Sequence, residues 1–505
     1  MRSLKFLSLI LLLALAAAPL VRAADSTPKV AKHGTVLLPS RSPLVSFRFV
    51  FHTGAAADPK GKEGLAALTS ALLSEGGSKT MTRAEILKAL YPMASEFDSQ
   101  TDKEMTVFYG STHIENLDAY YALVRQMLLE PGFRDDDFQR VRTDMVNFLK
   151  TTLRAGNDEE LGKEHLYTMI YPPAHPYGHH NYGTISSLEK ITLDDVKGFY
   201  REHYTQSNLV LGLAGAFPDA LPQKISADFA TLPEGKTASL KTTAPLQEKG
   251  TKIDIIQRET RSTAISLGFP IPVNRSHQDY AALALVASYF GQHRSSSSYL
   301  YQRIRALRGL NYGDYAYIEY FPRGMYRFEP SPNLARSSQI FQIWIRPVEP
   351  QNGLFTLRAA LYEYDKLVRE GMSQEAFDST RQFLRKYVNV LTATQDAQLG
   401  YALDSRYYGT REFTTHMRAA LDKLTLDDVN KAIHAYLKTD SLRVAMVTKD
   451  GEGLRKAILA GTPATVNYTA PKPKEVLEED AVISKYPIPV KEGNVRVVPV
   501  EKVFQ

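Results

Sequence analysis

The sequence predicts an α+β protein made of two homologous domains. Two segments recur in the same order along the chain: LEKITLDDV from Leu188 returns as LDKLTLDDV from Leu421, and GFRDDDFQRVR from Gly132 returns as GMSQEAFDSTR from Gly371. The two offsets are 233 and 239 residues, so the copies stay in register over a long stretch. A period of this length is too long for a solenoid repeat and indicates duplication of a whole domain.

Each copy follows the same order of elements. A strand with apolar alternation comes first, followed by an apolar helix, mixed strands, long amphipathic helices and a closing apolar strand. We expect the opening strand, the apolar helix and the closing strand at residues 44–51, 64–73 and 209–214 in the first copy, and at residues 253–269, 280–290 and 442–447 in the second. Because helices and strands interleave in both copies, the class is α+β.

Local composition predicts the domain boundaries. Residues 233–250, PEGKTASLKTTAPLQEKG, are rich in Lys, Thr, Pro and Gly and lack apolar periodicity, which is typical of a linker. This linker separates a first domain at residues 24–232 from a second domain at residues 251–461. Residues 462–505 carry PKPKEVLEED and YPIPVKEGNVRVVPV, and we expect an extended Pro-rich tail that lies across a surface.

The first residues predict export. Arg2 and Lys5 precede an apolar run over residues 6–15, which is followed by small residues and a cleavage site of the type VRA. We therefore expect a signal peptide at residues 1–23 and a periplasmic location. No later stretch approaches the roughly 20 apolar residues of a membrane span. The chain has no cysteine, so disulfides and a lipid-modified N-terminal cysteine are excluded.

Composition and charge exclude several function classes. The chain has 505 residues, of which 44% are hydrophobic and 23% charged, as in ordinary globular proteins. The formal net charge of +6 includes Arg2, Lys5 and Arg22 of the expected signal peptide, which leaves about +3 in the mature chain. This charge does not argue for a nucleic-acid partner. A serine- or cysteine-hydrolase mechanism is not supported either, since there is no cysteine and no Gly-x-Ser-x-Gly elbow.

The stretch GLAALTSALLSEGG begins with Gly64 and follows an apolar strand and the loop FHTGAAADPKGKEG. This pattern resembles the active-site helix of insulinase/pitrilysin-like zinc metallopeptidases, which carries His-x-x-Glu-His. The resemblance places the two zinc-binding histidines at Ala67 and Ala71 and the catalytic glutamate at Ser70. Alanine cannot bind a metal, and serine cannot act as the general base that a catalytic zinc site needs. We therefore expect no metal at these positions.

The expected third zinc ligand is also missing. In active relatives a glutamate follows the second histidine by about 75 residues on a long helix, which corresponds here to Asn147 or Phe148. No glutamate occurs from Pro131 through Asp158. All three ligands and the base are therefore absent together.

The segment YQRIRALRGLNYGDY carries Arg305 and Tyr312 around a Gly-Leu-Asn-Tyr turn. A guanidinium and a phenol are donors that stabilise a developing oxyanion where water is excluded. The pair resembles the second signature of the same family, in which an arginine and a tyrosine at this spacing hydrogen-bond the substrate carbonyl. Taken alone, an arginine on a helix and a tyrosine opening a strand are also ordinary structural residues.

Two polar segments each have a structural and a functional interpretation. In HPYGHH, His175, His179 and His180 lie close in sequence, but Pro176 and Gly178 favour a loop over a metal-binding helix face. We expect a structural turn with exposed rings, similar to a His-Pro-Tyr-Gly turn of the family, and keep a recruited metal as the alternative.

The other segment is GQHRSSSSYL, in which Arg294 and the serines at residues 295–298 are expected to form a solvated loop. Its alternative is a counterpart of a substrate-engaging glycine-rich loop in the non-catalytic subunit of mitochondrial processing peptidase.

The resemblance covers about residues 30–465 and implies a half-clamshell with a mostly antiparallel sheet in each domain. Short family members pair so that one subunit carries zinc and the other contributes the arginine and tyrosine. It therefore implies an exported, non-catalytic subunit that binds no cofactor itself, acts on a peptide or unfolded protein, and pairs with a homologous zinc-carrying partner. The alternative is a peptidase-like protein that binds peptides or scaffolds an assembly without hydrolysis.

Overall fold

The computed structural model of the protein describes residues 29–31, 34–236, 249–468 and 470–505. The predicted signal peptide at residues 1–23 and most of the predicted linker at residues 233–250 lie outside the described residues. The described residues up to 236 are called the first half below, and those from 249 onward the second half.

Each half is built around a six-stranded sheet. The strands of the described chain are β1 Lys29–Ala31, β2 Thr35–Pro39, β3 Leu44–Phe51, β4 Glu96–Thr101, β5 Thr106–His113, β6 Leu209–Gly215, β7 Lys252–Gln257, β8 Thr263–Ile271, β9 Asp314–Tyr317, β10 Gln339–Val348, β11 Arg443–Thr448 and β12 Val495–Pro499. The strand orders are β1-β2-β6-β3-β5-β4 and β12-β7-β11-β8-β10-β9. Five strands of each sheet correspond one to one in this order: β2-β6-β3-β5-β4 in the first sheet and β7-β11-β8-β10-β9 in the second. This correspondence is the structural form of the sequence duplication.

Most neighbouring strands in both sheets are antiparallel. The parallel pairs are β2 with β6 in the first sheet, and β7 with β11 and with β12 in the second. The prediction of an α+β fold with two mostly antiparallel sheets is confirmed.

The helices of the described chain are α1 Leu65–Glu75, α2 Arg83–Leu90, α3 Leu117–Leu129, α4 Asp135–Asn147, α5 Asp158–Ile170, α6 Ile185–Lys190, α7 Leu193–His203, α8 Leu221–Phe229, α9 Tyr280–Gly291, α10 Gly353–Glu370, α11 Gln374–Leu391, α12 Gln395–Tyr408, α13 Phe413–Lys423, α14 Leu426–Tyr436, α15 Gly451–Leu459 and α16 Lys474–Ile483. The repeated sequence TLDDV begins α7 and α14 with the same capping box. Thr192 with Asp195, and Thr425 with Asp428, satisfy free N–H groups of the first turn.

The two halves exchange one helix each. Helix α5 leaves the first half and packs on β8 and β11 of the second sheet, while α12 leaves the second half and packs on β6, β2 and β3 of the first sheet. Gly212 in β6 leaves room for α12, since a Cβ at that position would lie 2.8 Å from the Leu403 side chain. All nine residues of β8 are buried, since that strand is covered on both faces.

A buried ion pair joins the halves beside this exchange. Asp102, in the turn between β4 and β5, accepts a hydrogen bond of 2.7 Å from Nε of Arg336 in the second half. The guanidinium of Arg336 also lies 3.9 Å from the ring centroid of Tyr320, and Asn181 donates to the same carboxylate. Both charged groups are almost fully buried, so each depends on the other for its compensation.

The tail after residue 462 differs from the extended segment that we expected. It forms helix α16 and then strand β12, which joins the second sheet in parallel with β7. The last residues cross to the first half, where the Phe504 carbonyl accepts from the Ile185 N–H and its ring lies 5.1 Å from that of His180. The sequence of the tail did not predict strand β12, because this strand forms only by pairing with the distant strand β7.

Among the described residues, no helix combines the length and the apolar character that crossing a bilayer requires.

We expect Arg336→Met to lower the free energy of unfolding by roughly 3 to 5 kcal/mol, because it leaves the Asp102 carboxylate buried without its partner. The double variant Arg336→Met/Asp102→Leu is expected to be more stable than the single variant, since no unpaired charge remains. Urea unfolding measures both. The exposed pair of Arg385 and Asp422 is the control, and Arg385→Met should cost at most about 1 kcal/mol. A double variant less stable than Arg336→Met would contradict this account of the pair.

Burial, assisted by the neighbouring Arg336, lowers the pKa of Lys103 to about 7. Between this value and the ordinary value of 10.5, the unfolded chain holds a proton that the folded chain lacks, so stability rises with pH. We expect Lys103→Met to remove a rise of roughly 1.4 kcal/mol per pH unit over this window. Urea unfolding at pH 7.5 and 9 measures the difference, with the exposed Lys150→Met as control. Parallel pH profiles for wild type and Lys103→Met would refute the assignment.

Candidate functional site

A cavity of about 720 Å³ lies where the two halves meet. Helix α1, strand β4, helix α4 and helix α5 form its walls, together with residues 320–334 of the second half. Strand β4 is the outermost strand of the first sheet, and residues 98–101 of this strand line the cavity.

Helix α1 is fixed at its first turn. Gly64 adopts φ of 97°, and a Cβ there would lie 2.6 Å from the Tyr182 carbonyl oxygen, so only glycine fits. The Asp58 carboxylate accepts hydrogen bonds of 2.7 Å from the Gly64 and Ala66 N–H groups. These contacts aim the next turns of α1 at the cavity.

The three positions that correspond to the metal-binding motif, Ala67, Ser70 and Ala71, line the cavity. Ser70 Oγ lies 2.7 Å from Thr101 Oγ1 of β4, and Ser74 Oγ lies 3.0 Å from Ser99 Oγ in the same way. The two serine hydroxyls of α1 are therefore paired with the edge strand. Methyl and paired hydroxyl groups are not zinc ligands, so this helix does not fit the metal of the resembling family.

The opposite wall lacks the third ligand. Asp144 and Met145 of α4, and Phe148 directly after this helix, line the cavity, and the Phe148 ring packs 5.2 Å from that of Tyr182. An apolar ring thus occupies the region where the resemblance placed a glutamate. Within the residues that the structure describes, no group of three His, Cys, Asp or Glu side chains is arranged to hold a metal ion.

Sequence reasoning missed two carboxylates of this cavity, Glu160 and Glu164 on α5. Both are buried and already paired: Glu160 with Lys163, and Glu164 with His180 at 3.1 Å. Burial raises the pKa of Glu160, while the Lys163 ammonium opposes this shift. Their sequence, DEELGKEHLY, reads as a solvated helix, and only the crossing of α5 to the second sheet buries it.

Sequence reasoning also missed the second-half wall, which includes Tyr320, Arg323, Tyr326 and Arg327. The segment PRGMYRF at residues 322–328 has the Arg and Tyr content of a binding loop, but nothing local shows that it reaches the first half. Its two arginines face a cavity that also contains carboxylates, so the site carries both signs of charge.

The HPYGHH segment is a turn, but its rings are not exposed as expected. His175 and His180 are buried, with 5% and 8% of their surface exposed, and His179 Nε2 lies 3.3 Å from Asp58. His175 stacks on Tyr171 at 4.4 Å. Burial, with a contribution from the Lys103 charge, lowers the pKa of His179. The three rings have separate partners and do not converge on one point, which gives no support to a recruited metal.

Arg305 and Tyr312 lie together in the second half. The Arg305 guanidinium is 5.1 Å from the ring centroid of Tyr312, which is 76% exposed. Asn311 holds the turn through a 2.6 Å hydrogen bond to the buried Asp314. Neither member of the pair lines the cavity beside α1. The pair is presented outward rather than toward this chain's own altered helix.

The serine segment after α9 is a turn. Ser298 is buried and its hydroxyl donates to the Ser295 carbonyl, while Arg294 donates to the Met325 carbonyl. These residues do not line the cavity beside α1. The turn therefore combines exposed residues, as a solvated loop has, with hydrogen-bond partners inside the chain, which a solvated loop does not need.

Comparisons with known proteins agree with the fold. The family model described as "Insulinase (Peptidase family M16)" matches residues 35–169, and the one described as "Peptidase M16 inactive domain" matches residues 190–384. The "Non-peptidase homolog YmxG" of Helicobacter pylori is 22% identical over 80% of this chain and 89% of that protein. An "Uncharacterized zinc protease" of Rickettsia bellii is 23% identical over 75% of this chain and 88% of that protein.

Solved structures give the same result. A peptidase M16 inactive domain from Pseudomonas fluorescens has a TM-score of 0.71 at 22% identity and covers 84% of this chain and 98% of that chain. The first half of the periplasmic protease PqqL from Escherichia coli has a TM-score of 0.65 at 14% identity, covering 92% of this chain and 98% of that chain. At these identities the structural matches establish the fold alone.

We expect Ser70→Ala to lower the free energy of unfolding by about 1 kcal/mol, because the Thr101 hydroxyl loses its partner on α1. A double-mutant cycle with Thr101→Val, followed by urea unfolding, measures the coupling between the two side chains. Ser226→Ala is the matched control, since that hydroxyl donates to the Pro222 carbonyl of its own helix. Strictly additive effects of Ser70→Ala and Thr101→Val would show that the pair does not hold α1 to β4.

Proposed function

The chain belongs to the insulinase (peptidase M16) family, and we propose that it is the non-catalytic subunit of an exported, heterodimeric zinc metalloendopeptidase. Its partner is a homologous subunit that carries the zinc, and its substrate is a peptide or an unfolded protein. The signal-peptide features of residues 1–23 support a periplasmic location, as does the name of one structural neighbour, a periplasmic protease.

One observation carries the proposal: a large cavity lies beside α1, while the α1 positions that correspond to the metal-binding motif carry no metal ligand. The cavity of about 720 Å³ has the size of a ligand site, yet Ala67, Ser70 and Ala71 form its wall. A cavity of this kind can still bind a chain that it does not cut. Hydrolysis would then depend on another subunit.

The edge strand supports a peptide as the ligand. Strand β4 is hydrogen-bonded to β5 on one side, and its outer side borders the cavity. An extended peptide adds to such an edge through main-chain hydrogen bonds, which do not depend on the side chains of the peptide. Tyr326 and Arg327 of the second half lie across the cavity, where they can contact the side chains of the bound peptide.

The outward position of Arg305 and Tyr312 supports a role in the partner's site. The phenol is largely exposed, and the stacked guanidinium limits the conformations of both side chains. In a heterodimer, this pair would donate hydrogen bonds to the carbonyl of a peptide held in the partner's chamber. The expected contribution of such donors is large because it acts where negative charge develops.

The second candidate function is a stand-alone module that binds peptides without hydrolysis. It is favoured by the same cavity, which is complete within this single chain. The relative named a non-peptidase homolog is compatible with either function. Sizing of the purified protein, alone and with a zinc-carrying homologue from the same source, separates a homodimer or monomer from a heterodimer.

We expect the purified chain alone to cleave no peptide, and the mixture with its zinc-carrying partner to cleave. Arg305→Ala and Tyr312→Phe should each lower the kcat/KM of the reconstituted pair by about ten- to a hundredfold, because each removes a donor to the carbonyl. The measurement is cleavage of a quenched fluorogenic peptide library.

The matched controls are Arg369→Ala and Tyr91→Phe, which change an exposed arginine and an exposed tyrosine elsewhere on the chain. Both should leave the reconstituted rate unchanged. If Arg305→Ala and Tyr312→Phe also leave the rate unchanged while the pair still assembles, the role in the partner's site is wrong.

A further inference from the structure

The second half contains its own cavity, of about 130 Å³, between α9, β9 and α11. It is smaller than the cavity beside α1 and lies on the other side of Tyr320, which borders both. The proposed subunit function does not use this cavity.

The two cavities occupy equivalent places in the duplicated fold. Helix α9 faces the second cavity with small residues at the same spacing that α1 uses in the first: Ala284, Ala287 and Ser288 in place of Ala67, Ser70 and Ala71. The offset of 239 residues that aligns α4 with α11 also aligns the residues on the opposite wall. These are Met145, Phe148 and Thr152 in the first half, and Leu384, Tyr387 and Leu391 in the second.

The chemistry of the two cavities differs at the rim. Asp144 and Thr151 of the first half correspond at this offset to Phe383 and Val390, which are 41% and 48% exposed. Phe383 stacks on Tyr387, so the apolar surface continues from the cavity along the exposed face of α11. An exposed apolar stripe at positions i, i+4 and i+7 of a helix is a typical contact surface.

The charged groups of this cavity are compensated. Arg275 pairs with Glu319 at 2.9 Å and with Asp404 at 3.0 Å. His293 lies between Tyr317 and the Arg327 carbonyl, and burial lowers its pKa to about 4, so the ring is neutral at pH 7. The cavity therefore presents no free charge to an ionic ligand.

The remaining lining is largely aromatic and aliphatic. The rings of Tyr280, Tyr317, Phe321, Tyr401 and Phe413 contribute to it. A cavity of about 150 Å³ with apolar walls is known to accept benzene, so about 130 Å³ has room for one uncharged ring or a branched aliphatic group of similar size. Aromatic walls favour the ring, because offset and edge-to-face contacts add to burial.

We propose that this cavity binds the aromatic side chain of a peptide segment. The peptide source is favoured over a free aromatic molecule because the apolar surface extends beyond the cavity to Phe383 and Val390, where the rest of a larger ligand lies. The site would accept phenylalanine, whereas alanine would leave it unfilled and an aspartate side chain would lose its hydration there. This inference goes beyond the proposed subunit function and is testable on the chain alone.

The test is calorimetric titration of the full chain with the peptide acetyl-Gly-Gly-Phe-Gly-Gly-amide and with its alanine counterpart. We expect saturable binding of the phenylalanine peptide, at least tenfold tighter than binding of the alanine peptide. Ala284→Leu fills the cavity from the half-buried face of α9 and should weaken binding of the phenylalanine peptide at least tenfold. Phe383→Asp gives α11 the residue type of Asp144, its counterpart in α4. This change should weaken binding of the phenylalanine peptide severalfold without altering the core.

Leu477→Asp on α16 is the control for the surface change, because Leu477 is similarly exposed but lies away from the cavity. It should leave binding unchanged. Equal binding of both peptides, or tight binding of the phenylalanine peptide to Ala284→Leu, would overturn the proposed site. Saturable binding of toluene without binding of the phenylalanine peptide would overturn the peptide as its ligand.

Discussion

The fold depends on the exchange of one helix between its halves. A sheet whose strands are apolar on both faces needs a cover on both, and each half supplies the second cover for the other. Helix α5 packs on the second sheet and α12 on the first, so neither half buries its sheet alone. The Asp102–Arg336 pair and the crossing of residues 503–505 to the first half add contacts at the same junction.

This constraint also sets the position of the site. Because α5 crosses the junction, its carboxylates and the segment at residues 320–334 meet α1 and β4 around one cavity. The substitution of the metal-binding positions did not leave this wall unstructured, since Ser70 and Ser74 pair with Thr101 and Ser99. Paired hydroxyl groups and methyl groups therefore form this wall, in place of metal-binding side chains. The duplicated fold provides a second, more apolar cavity in the equivalent place.

Features with a local cause could be predicted from the sequence. The repeated TLDDV segments form capping boxes within five residues, and the duplication predicted two domains of one fold. That positions 67 and 71 carry no metal-binding side chain follows directly from their identity as alanines. Features with a distant cause could not be predicted. The burial of His180, the pairing of Glu164, and the strand in the tail all arise from segments more than ten residues away, and no periodicity records such contacts.

The central claim is that the chain forms a large cavity beside α1 that cannot hold a catalytic zinc ion. Its most direct measurement is a calorimetric titration of the purified chain with zinc, followed by elemental analysis after removal of free metal. The account predicts no binding at micromolar affinity and far less than one zinc per chain. One tightly retained zinc per chain, lost when Glu164 and His180 are replaced by alanine, would contradict it.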